Sequence, residues 1–210
     1  MINNSIRKFF TNSKINKIIL YLIYSDILLI SSWGLISPII AVFFTDHIPN
    51  GDIVTTGIAS TIFFVTRSIL QIPIAKYIDS IKGEQDNYKA TLLGTFIVAI
   101  IPFFYMMISS VPQLYLIQII YGIGSAISTT GWLTIFTKHL DKDREGLEWS
   151  FYNTTTDLGS ALTASIGGFL AYKVGFTNLF FVVGVINIIG FLFIFLLKSS
   201  FLRRRTQLNH

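Results

Sequence analysis

Six apolar stretches of about 18 residues or more recur along this chain with short polar connectors between them, and no other feature restricts the fold as strongly. A bilayer's hydrocarbon core of roughly 30 Å is crossed by about 20 helical residues, so each stretch is long enough to span it. The stretches occupy residues 18–45, 53–75, 90–109, 112–137, 149–172 and 178–197. With 52% hydrophobic and 13% charged residues and a mean hydropathy of +0.63, the 210-residue chain is too apolar for an ordinary soluble domain. The sequence therefore predicts an all-α polytopic membrane protein. Its six-helix domain covers 18–197, with a basic N-terminal segment at 1–17 and a basic tail at 198–210.

The connectors carry turn and capping chemistry: Pro49-Asn50-Gly51-Asp52, Ser109-Ser110-Val111-Pro112, Asp141 to Gly146, and Gly175-Phe176-Thr177-Asn178. Four Lys and Arg precede the first span, three lie between Lys76 and Lys89, three between Lys138 and Arg144, and four follow the last span. Only Lys173 falls on the other side, so the positive-inside rule places both termini in the cytoplasm and the protein in the cytoplasmic membrane. The net charge of +5 is accounted for by this topology, and nucleic acid is not an expected partner. The first stretch is too long for a signal-peptide core, and no cleaved leader is expected. Ile2, Ile6, Phe9 and Phe10 among the N-terminal basic residues fit either a short interfacial helix or an unstructured tail.

Enzymatic chemistry finds little support. There is no cysteine, no HExxH and no G-x-S-x-G, and His47, His139 and His210 sit at helix ends or the terminus. No cofactor or metal is expected, and the bilayer itself is the first partner.

Polarity is unevenly shared among the spans. The third and sixth are almost wholly apolar, Asn187 being the main exception, which predicts that they face lipid. The second places Thr56, Ser60, Arg67 and Gln71 on one helical face. The first does so with Asp26, Trp33 and Ser37, the fourth with Gln118, Gly122, Ser125, Thr129 and Trp132, and the fifth with Asn153, Asp157 and Ser160. Stripes of Ser, Thr and Gly alone also serve close helix packing.

Charges are harder to accommodate. Asp26, Arg67 and Asp157 each lie nine residues from a flanking cytoplasmic charge, about 14 Å deep at 1.5 Å per residue. Three unpaired charges near the midplane would cost on the order of 9 kcal/mol together. They must meet water or one another, either as a buried network that fixes packing or as part of a solute or ion path. An Asp at that depth can exchange protons when its surroundings bring its pKa into range, so proton coupling is part of the second expectation.

Several motifs carry a family resemblance. The stretch Pro73-Ile74-Ala75-Lys76-Tyr77-Ile78-Asp79-Ser80-Ile81-Lys82-Gly83 resembles the loop pattern G-x-L-x-D-R-x-G-R-R, with Ala75 at the first glycine. Gln118, Gly122, Gly124 and Ala126 resemble R-x-x-x-G-x-G-x-A, with glutamine in place of arginine, and Gly159, Gly167 and Gly168 resemble a glycine-rich fifth-helix pattern in which Thr163-Ala164 replaces Gly-Pro. Phe44-Thr45-Asp46-His47-Ile48 and Phe136-Thr137-Lys138-His139-Leu140 close the first and fourth spans at corresponding positions. In these features the chain resembles one half of a major facilitator superfamily transporter.

The resemblance implies two inverted repeats of three helices and alternating access between two six-helix bundles moving a small solute. It also implies a homodimer, or a separate partner half, that completes the cavity. Trp33, Gln71, Gln118, Trp132 and Asn153 are the expected cavity-lining residues. Lys76 and Asp79 would form a cytoplasmic gate loop, and Arg67 would approach Asp157 of the second subunit. The rival expectation is a non-transporting scaffold or a piece of a longer carrier.

Overall fold

The computed structural model of the chain describes residues 16–80 and 84–197. The expected N-terminal segment, the Ile81-Lys82-Gly83 part of the connector and the basic tail lie outside the described residues, apart from Asn16 and Lys17. Six helices are present: α1 (Lys17–Ile36), α2 (Ile40–Asp46), α3 (Ile53–Ser80), α4 (Gln85–Tyr105), α5 (Val111–His139) and α6 (Glu145–Leu196).

These are not one helix per span. The first span is broken into α1 and α2 by a turn at residues 37–39. Pro38 has no N–H to return to the preceding turn, and its ring crowds the carbonyl four residues back. Helix α1 therefore closes at Ser37, whose N–H donates to the Trp33 carbonyl at 2.9 Å. Conversely α6 runs for 52 residues, about 78 Å if it were straight at 1.5 Å per residue, more than twice the hydrocarbon core. It contains both the fifth and the sixth spans, divided at Gly175, whose backbone (φ 81, ψ 161) lies outside the helical region. Glycine tolerates that conformation because it has no Cβ. The Asn178 side-chain amide donates to the Val174 carbonyl at 2.8 Å, bonding the chain across the break.

Contacts along α1 establish the reversal. Tyr152 meets Asp26, and a Cβ on Gly167 would meet Leu35, so limb 145–174 runs parallel to α1. Phe193 meets Tyr21 and Asn187 accepts a short hydrogen bond from Ser32, so limb 176–196 runs antiparallel to it. Asn187, the polar exception of the sixth span, is thus a fully buried packing residue. By the same reasoning α3 runs parallel to α5, through Phe63 on Tyr121 and Arg67 on Thr129, and α4 antiparallel to α5, through Thr95 on Ser128 and Gln118 on Tyr105. The first three crossings and the last three therefore alternate in opposite senses, as the inverted repeat requires.

Two apolar clusters hold the bundle. One, at the end that the charge pattern assigns to the outside, gathers Phe43, Phe44, Tyr105, Leu114 and Phe180. The other, at the opposite end, gathers Ile19, Leu22, Tyr88, Trp132, Phe136 and Ile194. At that second end His139 Nε2 lies 3.7 Å from Glu84, and the Asp141 N–H donates to Glu148 at 3.2 Å.

The third and sixth spans keep exposed apolar faces, with Leu93, Phe96, Phe181 and Leu192 exposed. Helix α4 and limb 176–196 pack on each other through Phe96–Phe191 and Gly184–Phe103. The least covered elements are the polar ones, α3 and limb 145–174. In the most apolar window of α3, 11% of residues are buried, against 50% in α1 and 44% in both α4 and α5.

Candidate functional site

A cavity of about 440 Å³ opens between the two clusters. Helix α1 supplies Asp26 and Trp33 to it, α3 supplies Arg67, α5 supplies Tyr121, Ser125, Ser128, Thr129 and Trp132, and limb 145–174 supplies Trp149 and Tyr152. On α5, Tyr121, Ser125, Thr129 and Trp132 recur every three or four residues with Ser128 beside Thr129, so the contributing positions share one side of the helix.

Opposite charges enter from separate helices, and among the described residues no ion pair joins them. Asp26 Oδ2 accepts a hydrogen bond from the Tyr152 hydroxyl at 2.8 Å. Arg67 Nη2 donates to the Thr129 hydroxyl at 3.3 Å.

The walls are aromatic. Trp33 and Tyr121 stack with centroids 4.8 Å apart and planes 4° from parallel, and Phe63 backs Tyr121 at 4.4 Å. On the other side Tyr152 lies 4.9 Å from Trp132 and 5.9 Å from Trp149. The indole N–H groups of Trp33 and Trp132 are buried without a hydrogen-bond partner. Among the described residues no group of three or more His, Asp or Glu is placed to hold a metal ion.

The residues singled out from sequence are distributed as follows. Asp26, Arg67, Trp33 and Trp132 meet in this cavity. Asp157 and Asn153 do not; both are exposed on the outer face of limb 145–174. Gln118 is buried in the outer cluster, where its amide donates to the Tyr105 hydroxyl at 2.9 Å, and it belongs to the packing rather than to the cavity wall. Gln71 is half-buried on α3, one turn beyond Arg67, and does not line the cavity. Lys76 and Asp79 are exposed on the last two turns of α3, which extends to Ser80, at the entry to the connector before α4.

Tyr121, Trp149 and Tyr152 were not anticipated. Tyr121 belongs to the polar stripe of the fourth span, four residues before Ser125, but a tyrosine reads as apolar in a hydropathy scan. Trp149 and Tyr152 sit one turn apart on a face rotated by about 100° from the Asn153 and Asp157 stripe, the angle that one residue turns on a helix.

This fold defines a class, the multi-pass helical bundles of membrane transporters. Within it, the chain belongs to the Major Facilitator Superfamily, whose sequence profile matches residues 23–208. Two proteins named Probable hexose phosphate transport protein, from Chlamydia trachomatis and Chlamydia muridarum, are each 26% identical to it over 149 and 151 residues. Those alignments cover 69% of this chain and 31% of each relative. Among solved structures, the POT family transporter PepTSo superposes with a TM-score of 0.73 at 17% identity, over 90% of this chain and 39% of that one. The chain thus spans less than half the length of the proteins it matches.

Proposed function

We propose that this chain forms one wall of a solute path and works as a homodimer, two copies taking the place of the two bundles of a longer carrier. The observation that carries this reading is the uncovered state of the two polar elements. Asp157, Asn153 and Thr154 on limb 145–174, and Ser60, Thr61 and Ser68 on α3, are exposed in the single chain. A charge such as Asp157 facing lipid at mid-depth would cost about 2.5–3.5 kcal/mol, so a second protein surface or water must cover it.

The charge asymmetry of the connectors gives every copy the same orientation, so two copies pair about an axis along the membrane normal and close as a twofold. In that arrangement Arg67 approaches Asp157 of the partner subunit. Asp26, Arg67, Trp33 and Trp132 contact the solute, and Lys76 and Asp79 latch the cytoplasmic mouth against the other copy. Transport proceeds by rocking of the two bundles around the cavity. Asp26, a carboxylate in a membrane-embedded cavity, is the group that would couple transport to a proton gradient. Both termini lie in the cytoplasm, and the protein resides in the cytoplasmic membrane.

Reconstitution in liposomes with an imposed pH gradient and a solute panel, alongside measurement of oligomeric state, tests the reading. Gradient-driven uptake by a dimer is the expected result. A monomer that accumulates nothing contradicts it. Uptake only after addition of a second chain assigns the far wall to a separate partner half, the reading that the short coverage of the relatives also fits.

A further inference from the structure

The cavity contains one acidic and one basic side chain, and among the described residues no ion pair joins them. Asp26 has a neutral hydroxyl on it, from Tyr152, and Arg67 also has a hydroxyl, from Thr129. In the single chain a solute with one charge would leave the opposite side chain without a counter-charge, and an uncharged solute would leave both so. A solute carrying both signs answers the two together.

The walls say what lies between those charges. Tyr152, whose hydroxyl touches Asp26, is flanked by Trp132 and Trp149 at 4.9 and 5.9 Å. An aromatic cluster next to a carboxylate suits a cationic nitrogen, which can pair with the acid and lie against a ring. Towards Trp33 the stacked Trp33–Tyr121 pair, with Leu29 and Ile30 nearby, offers a flat apolar surface. Trp132 is 8% exposed, and its indole N–H lacks an acceptor.

We propose that the cavity takes a small zwitterion with an aromatic or bulky apolar side group, its cationic end at Asp26 and its anionic end at Arg67. The assignment rests on the reading of this cavity as the transport site and narrows that reading to a substrate class. Within the dimer the anionic end of the solute competes with Asp157 of the partner subunit for Arg67, so binding and release exchange one anion for another.

The chain's three tryptophans, Trp33, Trp132 and Trp149, all line this cavity, so intrinsic tryptophan fluorescence reports directly on its contents. Three probes carry the same phenyl group on a short chain: L-phenylalanine has both charged groups, 3-phenylpropanoate lacks the ammonium group, and 2-phenylethylamine lacks the carboxylate. On the wild-type dimer phenylalanine should bind at least about tenfold more tightly than either singly charged analogue, the size expected for one charged contact. Asp26→Asn should erase the advantage over phenylpropanoate and keep that over phenylethylamine. Arg67→Gln should do the reverse. Each readout is a ratio between ligands on the same protein, so a variant of lower stability still reports, and the wild-type comparison needs no variant.

Equal or tighter binding of a singly charged analogue, or no fluorescence response to any of the three, overturns the proposal. Uptake into proteoliposomes separates it from the transport reading. If a singly charged analogue alone is accumulated, transport stands and the zwitterion class falls. If phenylalanine binds with the expected ratios but no gradient drives its uptake, the class stands and transport falls.

Discussion

The Tyr152 hydroxyl donates to the Asp26 carboxylate at 2.8 Å, tying the fifth span to the first inside the cavity. Both residues lie on helices that run parallel, so the bond fixes their register at the depth where Arg67 enters from the opposite side.

Removing that donor leaves a partly enclosed carboxylate short of a partner. Tyr152→Phe should lower unfolding stability in detergent by about 1 kcal/mol, the usual net contribution of a hydrogen bond whose acceptor water can reach. In an Asp26→Asn background the same substitution should cost measurably less, because the charged acceptor is already gone. Denaturant titration of the four proteins of this double-mutant cycle gives the coupling. Full additivity would argue that the bond contributes nothing.

Close approach of α1 and limb 145–174 depends on Gly167, where an added Cβ would collide with the Leu35 carbonyl. Gly167→Ala forces the two backbones apart and should destabilise the bundle by about 1–3 kcal/mol, as overpacking does. Gly57→Ala on α3 is the matched control, since nothing lies within 4 Å of the position its methyl group would take. That change should be neutral or stabilising by up to about 1 kcal/mol through helix propensity. Thermal unfolding of the two variants side by side checks the contrast.

The start of α3 is set by Asp52, which accepts hydrogen bonds from the Thr55 N–H at 2.6 Å and the Thr55 hydroxyl at 2.7 Å. These bonds hold its carboxyl below the ordinary carboxylate pKa of 3.8. A depressed folded-state pKa means that the cap's stabilisation is fully present above the unfolded value and disappears as pH falls through the folded one. The melting temperature of wild type should therefore lose the cap's contribution as pH falls below about 4, in the acid range of the unfolded carboxyl. Asp52→Ala should be less stable at pH 7 and should approach wild type in acid. A constant difference at every pH would contradict the assignment.

Much of this architecture is legible in the sequence because hydrocarbon thickness sets a length that apolar runs must meet. The six crossings, the turn at Gly175 and the packing glycines all follow from that length and from backbone chemistry. The break at Pro38 was harder to see, since hydropathy continues through it unchanged. Helix rotation was the main loss. Asn153 and Asp157 mark the polar side of the fifth span, but polarity identifies a face without saying what it meets. In the single chain Trp149 and Tyr152 turn inward while the carboxylate turns outward. Gln118 misled for a related reason: a buried amide can be satisfied by a buried phenol, here Tyr105, as readily as by water in a cavity.

The outward position of Asp157 yields a prediction of its own. Arg67→Glu and Asp157→Arg should each reduce dimer formation or uptake by tenfold or more, as about 1.4 kcal/mol of lost pairing implies. The doubly reversed protein should recover most of the loss. Light scattering of the purified proteins and proteoliposome uptake measure the two effects, and absence of mutual rescue would separate the two residues.

The central claim is that polar side chains from four helices meet in a wet crevice at mid-membrane depth. The natural chain contains no cysteine, so a single one reports without background. Ser125→Cys in the cavity wall, Leu192→Cys on the exposed apolar face of limb 176–196, and Lys142→Cys in the exposed connector before α6 form the test set. Reconstituted in liposomes and treated with a charged, membrane-impermeant thiol reagent, Ser125→Cys should label at a rate near that of Lys142→Cys, while Leu192→Cys stays unmodified. If Ser125→Cys is as inert as Leu192→Cys, the crevice is dry and the account of a solute path fails.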